Sequence, residues 1–190
     1  GLVLPPLLAP IQVIIIPLFK PKENVDEIEG KTTEIFHLLK NSGIRAKIDD
    51  RENVSLGFKL NDSEVKGIPM RIIIGQKEID DDKFDVFFRH SLKKKSSDFN
   101  SLFELFSSSI NSIQNEMISQ SKLRLKKNTH EVDSYDKFKE LISSQSGFII
   151  AGWDGTNETE EAIKKETKAT IRCIPEFTDP QGIKLSLIHI

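Results

Sequence analysis

The sequence predicts an α/β protein made of two small domains. Apolar runs of strand length alternate with segments whose apolar residues recur at helical spacing, and Gly or Pro marks most of the junctions. The chain has 190 residues, 37% of them apolar, which is enough for one large core or two small ones. A net charge of −2 gives no global sign of nucleic-acid binding, so any RNA contact depends on a local arrangement of side chains.

Residues 1–10 are interpreted as a stiff connector at the seam between a preceding domain and this one. Pro5 and Pro6 hold the backbone extended, and the apolar run 11–18 that follows is a buried strand. Prolines interrupt the apolar stretch, and Lys20 follows it without a cleavage motif. The segment is therefore predicted to be neither a signal peptide nor a membrane span.

The first predicted domain covers residues 11–98. Helical spacing of apolar residues from Val25 to Leu39 predicts a helix that ends at Gly43, and residues 44–48 resume strand character, which makes a strand–helix–strand crossover unit. A helix is predicted over residues 55–66, ending at Gly67. Strands are predicted over residues 69–74, ending at Gly75, and over residues 84–88.

The pattern changes after residue 92. The run of lysines at residues 93–95 is typical of a solvated turn, and apolar residues from Phe99 to Met117 predict a long linking helix over residues 99–128. In the second predicted domain, residues 129–190, the patterns indicate a small α/β unit. Its predicted elements are a helix over 135–144, a strand over 147–151, a helix over 156–168 and a strand over 170–174.

The sequence contains no recognisable catalytic or metal-binding motif. Cys173 is the one cysteine, so no internal disulfide and no cysteine-rich zinc site is predicted. The four histidines are scattered, with no Ser/His/Asp arrangement. Residues 152–156 resemble a phosphate loop only loosely, and Thr156 is expected to cap the next helix. Residues 122–127 form a basic patch that suits either solvent or an RNA backbone.

The residues that suggest a binding site lie between Asp49 and Arg89. They are Asp-Asp-Arg at 49–51, Gly-Phe-Lys at 57–59, Glu-Val-Lys-Gly-Ile-Pro-Met-Arg at 64–71, Gly75 and Arg89. Residues 49–51 follow a predicted parallel strand, and loops at the carboxyl ends of parallel strands are the usual place for ligands. The alternative for such a charged group is a cluster of surface ion pairs.

These blocks, in this order and spacing, resemble the anticodon-binding domain of class II prolyl-tRNA synthetases of the archaeal and eukaryotic type. Residues 1–17 resemble the segment after that family's last catalytic motif, and residues 166–175 resemble its C-terminal domain. The resemblance implies a mixed-sheet, three-layer α/β domain, a long linking helix and a small α/β C-terminal domain. Because Cys173 is the one cysteine, that C-terminal domain is expected to lack zinc. It covers residues 1 to about 175, nearly the whole chain.

The resemblance also implies partners and cofactors. The chain would bind tRNA(Pro) and would need no cofactor of its own. The motifs that hold ATP and magnesium for proline ligation would lie in a separate N-terminal catalytic domain. The parent enzyme is expected to be a cytoplasmic homodimer, with its main dimer contacts in that other domain, so the fragment is expected to be a monomer without membrane contact.

A proline anticodon presents two adjacent guanines, whose two donors suit a carboxylate and whose carbonyl suits Lys or Arg. We therefore predict that base reading and stacking use Arg51, Phe58, Lys59, Glu64, Lys66 and Arg71, and that Lys77 and Arg89 contact phosphates. Glu64 is the most specific of these candidates, and its alternative role is an ion pair with Lys66 or another surface lysine.

Some positions depart from the family pattern. Ser63 stands where many relatives have Trp, Asn61 and Asp62 replace an often bulkier pair, and Cys173 has no further cysteines after it. Residues 186–190 lack the aromatic end typical of the family. A free-standing accessory protein that reuses the fold remains an alternative, whereas a flavodoxin-like enzyme would need a phosphate loop in place of residues 17–21.

Overall fold

The computed structural model describes residues 1–21, 23–144 and 147–173, and the backbone of residues 185–189. These residues form two compact units, Gly1–Ile118 and Ser119–Ile190. The predicted motif positions Ile174 and Pro175, and Ile190, lie outside the described residues. Within the described part of the chain, no helix has the length and apolar character needed to cross a bilayer.

The first unit is built on a five-stranded mixed sheet with strand order β2-β1-β3-β4-β5. Its first three strands are parallel, with β1 between β2 and β3, and the last two are antiparallel. The strands are β1 Val13–Pro17, β2 Ala46–Ile48, β3 Met70–Ile74, β4 Lys83–Phe88 and β5 Lys93–Asp98.

Helices cover both faces of this sheet. The helices of the first unit are α1 Val25–Asn41, α2 Leu56–Val65 and α3 Gln76–Asp80, together with the part of α4 (Leu102–Lys127) that precedes Ser119. Val13 and Ile15 of β1 pack with apolar residues of α1 and α4, whereas Ile14 and Ile16 pack with α2 on the other face. Because β1 is buried on both faces, its sequence is a continuous apolar run rather than an alternating one. The predicted three-layer α/β fold is confirmed.

One expectation for this unit is wrong, and one helix and one packing contact were not anticipated. Residues 93–95 are not a solvated turn but the start of β5, whose residues Lys93–Asp98 pair with β4 along its whole length. Lysine suits an edge strand because its charge discourages pairing with another chain. The five-residue helix α3 and the contribution of α4 to the core through Leu102, Phe106 and Ile110 were also not predicted from the sequence.

The connector, residues 1–10, is part of the first unit, and its backbone is held by hydrogen bonds from side chains and from the backbone. The Arg45 guanidinium donates to the carbonyl oxygens of Ala9 (Nε, 2.9 Å) and Pro6 (Nη2, 3.0 Å). Gln12, which is buried, donates to the Pro6 carbonyl over 3.1 Å. Nearer the start of the connector, the Leu4 amide donates to the Gly67 carbonyl over 3.1 Å. The connector therefore follows a defined path over this unit.

The second unit has a four-stranded sheet with strand order β6-β7-β9-β8. Phe138 of α5, Ile149 of β7 and Ile163 of α6 form its small core. Thr156 caps α6 by accepting a hydrogen bond from the Thr159 amide, as predicted. The sequence did not predict β6 or β9. The elements are β6 Thr129–Val132, α5 Tyr135–Ser144, β7 Phe148–Gly152, α6 Asn157–Thr167, β8 Thr170–Cys173 and β9 Leu185–His189.

Candidate nucleic-acid interface

Helix α2 carries most of the predicted base-reading residues. Ser55 caps its N-terminus, where the Ser55 hydroxyl accepts a hydrogen bond from the Phe58 amide over 3.2 Å. Gly67 follows the C-terminal cap, Lys66. It has a left-handed φ of +69° and no room for a side chain, because a Cβ atom there would lie 2.9 Å from Leu2. A glycine in contact with the connector therefore determines where α2 stops, and Glu64 and Lys66 lie at this C-terminal end of the helix.

Arg51 joins the end of β2 to α2. Its guanidinium donates to both carboxylate oxygens of Asp49 over 2.7 Å each, and to Asp62 over 2.8 Å. Lys66 donates to the same Asp62 oxygen over 2.7 Å. We call these four residues, Asp49, Arg51, Asp62 and Lys66, the Arg51 cluster. It contains two of the predicted RNA-binding residues, and Asp62 is the residue that connects them.

The charges of the Arg51 cluster stabilise one another. The hydrogen bonds from Arg51 hold the pKa of the Asp49 carboxyl below its ordinary value, although burial opposes this. The hydrogen bond from Lys66 is the main cause of the lowered pKa of Asp62. Burial opposes this effect, and the hydrogen bond from Arg51 adds to it. The two carboxylates in turn raise the pKa of Arg51. Asp49, Asp62 and Arg51 are therefore all charged at neutral pH.

Phe58 and Lys59 are neighbours in sequence but have different environments. Phe58 is 52% exposed, and the Arg51 guanidinium lies 5.6 Å from its ring centroid, so a planar group remains open to solvent beside a cation. Lys59 is only 7% exposed, and its ammonium donates to the Asp49 carbonyl over 3.0 Å. In this conformation Lys59 ties α2 to the end of β2, whereas Phe58 is free to stack.

Glu64 and Arg71 form the second group of predicted residues. Both terminal nitrogens of Arg71 lie 3.3 Å from Glu64 Oε1. Nη1 also donates to the Leu60 carbonyl over 2.9 Å and to the Ser63 hydroxyl over 2.8 Å. We call Glu64, Arg71, Ser63 and Phe87 the Arg71 cluster, since the guanidinium lies 4.4 Å from the centroid of the Phe87 ring. The alternative role considered for Glu64, an ion pair with Lys66, is not formed, because Lys66 pairs with Asp62.

Burial distinguishes the two partners of this ion pair. Arg71 is 8% exposed, and its burial lowers the pKa of the guanidinium, an effect that the hydrogen bond to Glu64 opposes. The Glu64 side chain is 38% exposed, so part of the carboxylate faces solvent. Arg71 is therefore a buried cation held in place by its hydrogen bonds, and Glu64 is the member of the pair that a ligand can reach.

The two predicted phosphate contacts lie apart from each other. Lys77 is exposed on α3, beyond the carboxyl end of β3. Arg89 lies at the opposite end of that strand, where its amide donates to the Pro69 carbonyl, and its side chain donates to the Glu64 carbonyl over 3.3 Å. The structure thus brings Arg89 to the Arg71 cluster but does not bring Lys77 there.

Sequence reasoning did not assign Asp62, Ser63 or Phe87 to these clusters. Asp62 is four residues before Lys66 on α2, a spacing that predicts an ion pair, so a signal for it was present. Phe87 is the cross-strand partner of Arg71 in the β3–β4 pairing. That contact was not visible without the register of the sheet, because nothing in the local sequence relates the two positions.

A partly exposed carboxylate held beside a guanidinium, as Glu64 is beside Arg71, suits a nucleobase that offers donors and a carbonyl on one edge. Comparison with known proteins agrees with this chemistry. Residues 12–109 match the family model described as "Anticodon binding domain". The chain belongs to this anticodon-binding family. Beyond its anticodon-binding domain, residues 135–184 match the model described as "Prolyl-tRNA synthetase, C-terminal".

Known proline–tRNA ligases are similar to this chain along nearly its whole length. The proline–tRNA ligase of Phocaeicola vulgatus is 42% identical over 183 residues, which is 96% of this chain and 37% of that protein. That of Cytophaga hutchinsonii is also 42% identical and covers 96% of this chain and 38% of its own length. The chain therefore spans well under half the length of these curated relatives.

A solved structure shows the same fold. The crystal structure of prolyl-tRNA synthetase from Cryptosporidium parvum, complexed with L-proline and AMP, matches with a TM-score of 0.88 and 32% sequence identity. The match covers 100% of this chain and 43% of that one. The resemblance to the C-terminal part of prolyl-tRNA synthetases is thereby confirmed. Among the described residues, no group of three His, Cys, Asp or Glu side chains is placed to hold a metal ion.

Proposed function

We propose that this chain recognises the anticodon loop of tRNA(Pro) as the C-terminal part of a proline–tRNA ligase. The observation that carries the proposal is the Arg71 cluster, in which the half-exposed Glu64 carboxylate is held beside a buried guanidinium. A guanine offers two donors to a carboxylate, and its carbonyl accepts from a cation. The match to the anticodon-binding family supports the same assignment.

Each predicted residue has a role in this proposal. Glu64 reads a guanine edge, Phe58 stacks on an unpaired base, and Arg51 and Lys66 supply donors from the Arg51 cluster. Lys59 and Arg71, which are the two buried members, position the others through their internal hydrogen bonds. Lys77 and Arg89 contact phosphates, at opposite ends of β3.

The whole protein would consist of more than this chain. We propose that residues 1–10 connect a preceding catalytic domain to an anticodon-binding domain at 11–98. A linking helix at 99–128 and a C-terminal domain at 129–190 would follow. That catalytic domain would use ATP and Mg²⁺ to activate proline and would form the dimer, in the cytoplasm. The relatives' names and the length that they have beyond this chain support this arrangement.

The test is binding of the chain to a proline anticodon stem-loop, measured at two salt concentrations by fluorescence anisotropy. Glu64→Gln should weaken binding roughly 10- to 100-fold, because it removes a hydrogen bond to a charged acceptor. Glu161→Gln is the matched control: it makes the same charge change on an exposed residue of α6 and should leave the affinity unchanged.

A second arm uses a stem-loop in which the two guanines are replaced by adenines. Binding of the unmodified chain should fall by a similar factor, and Glu64→Gln should then make little further difference, because the two changes remove the same contact. If both RNAs bind equally well to a folded chain, base reading at Glu64 is wrong. Loss of affinity with rising salt measures the separate phosphate contribution.

A further inference from the structure

The connector packs against the turn that ends α2. In that turn the Gly67 amide donates to the Glu64 carbonyl over 3.1 Å, and the Gly67 carbonyl accepts from the Leu4 amide of the connector, also over 3.1 Å. The close approach of Leu2 leaves no room for a side chain on Gly67. The last carbonyl groups of a helix have no partner within the helix itself. The connector therefore supplies part of the support for the turn that carries Glu64.

Arg89 lies between the start of the connector and the same turn. Its Nε donates to the Glu64 carbonyl over 3.3 Å. A Cβ atom on Gly1 would lie 3.0 Å from Arg89 Nη2 and 3.5 Å from the Glu64 carbonyl oxygen, so the backbone of Gly1 lies close to both residues. The backbone of Glu64 is thus held next to the connector, whereas its carboxylate is held by Arg71.

The connector is also fixed at a second point. The Arg45 guanidinium donates to the carbonyl oxygens of Pro6, Leu7 and Ala9. Pro5 and Pro6 lie between this anchor and residues 1–4, and their rings hold φ near about −65°. A stiff segment that is already anchored loses little further conformational freedom when it contacts the end of α2. Residues 1–4 are therefore presented to the turn at a low entropic cost.

We propose that the connector positions Glu64 for base reading, so that docking of the connector and binding of RNA strengthen each other. The ends of helices open locally more readily than their centres, and contact with the connector opposes that opening. When the turn is held, the Glu64 carboxylate is in place beside Arg71 before RNA arrives, which lowers the cost of binding. Linkage requires the reciprocal effect, that bound RNA holds the connector in place. This inference rests on the proposed function, since it requires RNA contact at Glu64.

The first test is stem-loop binding by a chain with Leu2→Ala and Leu4→Pro. These changes remove the side-chain contact with Gly67 and the amide that donates to its carbonyl. Affinity should fall roughly three- to tenfold, the size of one hydrogen-bond contribution. The control carries Leu7→Ala and Leu8→Ala, which shorten two exposed leucines of the same connector, and should bind as the unmodified chain does. Equal affinities of the two double variants would overturn the proposal.

A double-mutant cycle with Glu64→Gln separates positioning from direct contact. If the connector acts through Glu64, then adding Leu2→Ala and Leu4→Pro to Glu64→Gln should weaken binding little further. Fully additive losses would mean that the connector touches the RNA itself, and would overturn a positioning role. Unchanged binding by Glu64→Gln alone would instead refute the proposed function. Failure of this inference and failure of the proposed function therefore give different results.

Hydrogen exchange tests the reciprocal effect, which a purely structural role would not produce. Saturation with the stem-loop should slow exchange of the Leu4 amide by the same factor, roughly three- to tenfold, because linkage makes the two effects equal. The Ala9 amide is the internal control: it donates to the Pro5 carbonyl over 3.0 Å within the connector, and its exchange should not change. Exchange of the Leu4 amide that is unaffected by saturating RNA would overturn the proposal.

Discussion

Replacement of Gly67 by alanine tests how closely the connector contacts the end of α2. Gly67 has a φ of +69°, and a Cβ atom would lie 2.9 Å from both the carbonyl carbon and the oxygen of Leu2. The left-handed conformation costs a residue with a side chain about 1–2 kcal/mol. Displacement of the connector also weakens the bond from the Leu4 amide to the Gly67 carbonyl, which is worth about 0.5–1.5 kcal/mol. The expected loss for Gly67→Ala is therefore about 1.5–3.5 kcal/mol.

The chain contains a matched control for this substitution. Gly43 follows α1 in the same way, with a φ of +77°, but a Cβ atom there would have no neighbour within 4 Å. Gly43→Ala should therefore cost only the conformational strain, about 1–2 kcal/mol, reduced by the lower entropy of the unfolded chain. The difference between the two variants measures the contact with the connector and not the strain.

Urea unfolding of the first unit is the assay. The single tryptophan and the single tyrosine both lie in the second unit, so the first unit should be followed by amide signals of its sheet, and Trp153 fluorescence then serves as an internal control. In a chain that lacks residues 1–4, the excess cost of Gly67→Ala should disappear. If Gly67→Ala costs no more than Gly43→Ala in the intact chain, the close approach of Leu2 is refuted.

Three further predictions concern the Arg51 cluster, the Arg71 cluster and Phe58. The pKa values of Asp49 and Asp62 are lowered in the folded chain. The stability that these carboxylates contribute is therefore complete above their ordinary pKa of 3.8 and is lost as the pH falls through their pKa values in the fold. Urea titrations between about pH 6 and pH 2 measure this loss. Ser63→Ala should cost about 1 kcal/mol in the same assay, because Arg71 loses one of its acceptors; no loss would mean that the hydroxyl does not support the guanidinium. Phe58→Ala should leave stability within about 0.5 kcal/mol of the unmodified chain, since the ring is exposed, but should weaken stem-loop binding by about 1–3 kcal/mol if a base stacks on it.

Helix periodicity and glycine positions allowed most elements to be predicted. The helix patterns at residues 25–39, 55–66 and 135–144 correspond to α1, α2 and α5, because an amphipathic stripe and a glycine or polar cap are local properties of the sequence. The strands β5, β6 and β9 were not predicted. A strand at a sheet edge, such as the lysine-rich β5, is stabilised by its pairing partner, which lies elsewhere in the chain.

The sequence by itself determined the family, the α/β class and the candidate residues, since these depend on which side chains occur and at which spacing. Only the tertiary structure decided how they are grouped. It paired Glu64 with Arg71 rather than Lys66, placed Phe87 beneath Arg71, and buried Lys59. These contacts depend on the register of the sheet and on the packing of α2 against it. Spacing along the chain carries no information about neighbours that the fold brings together from distant segments.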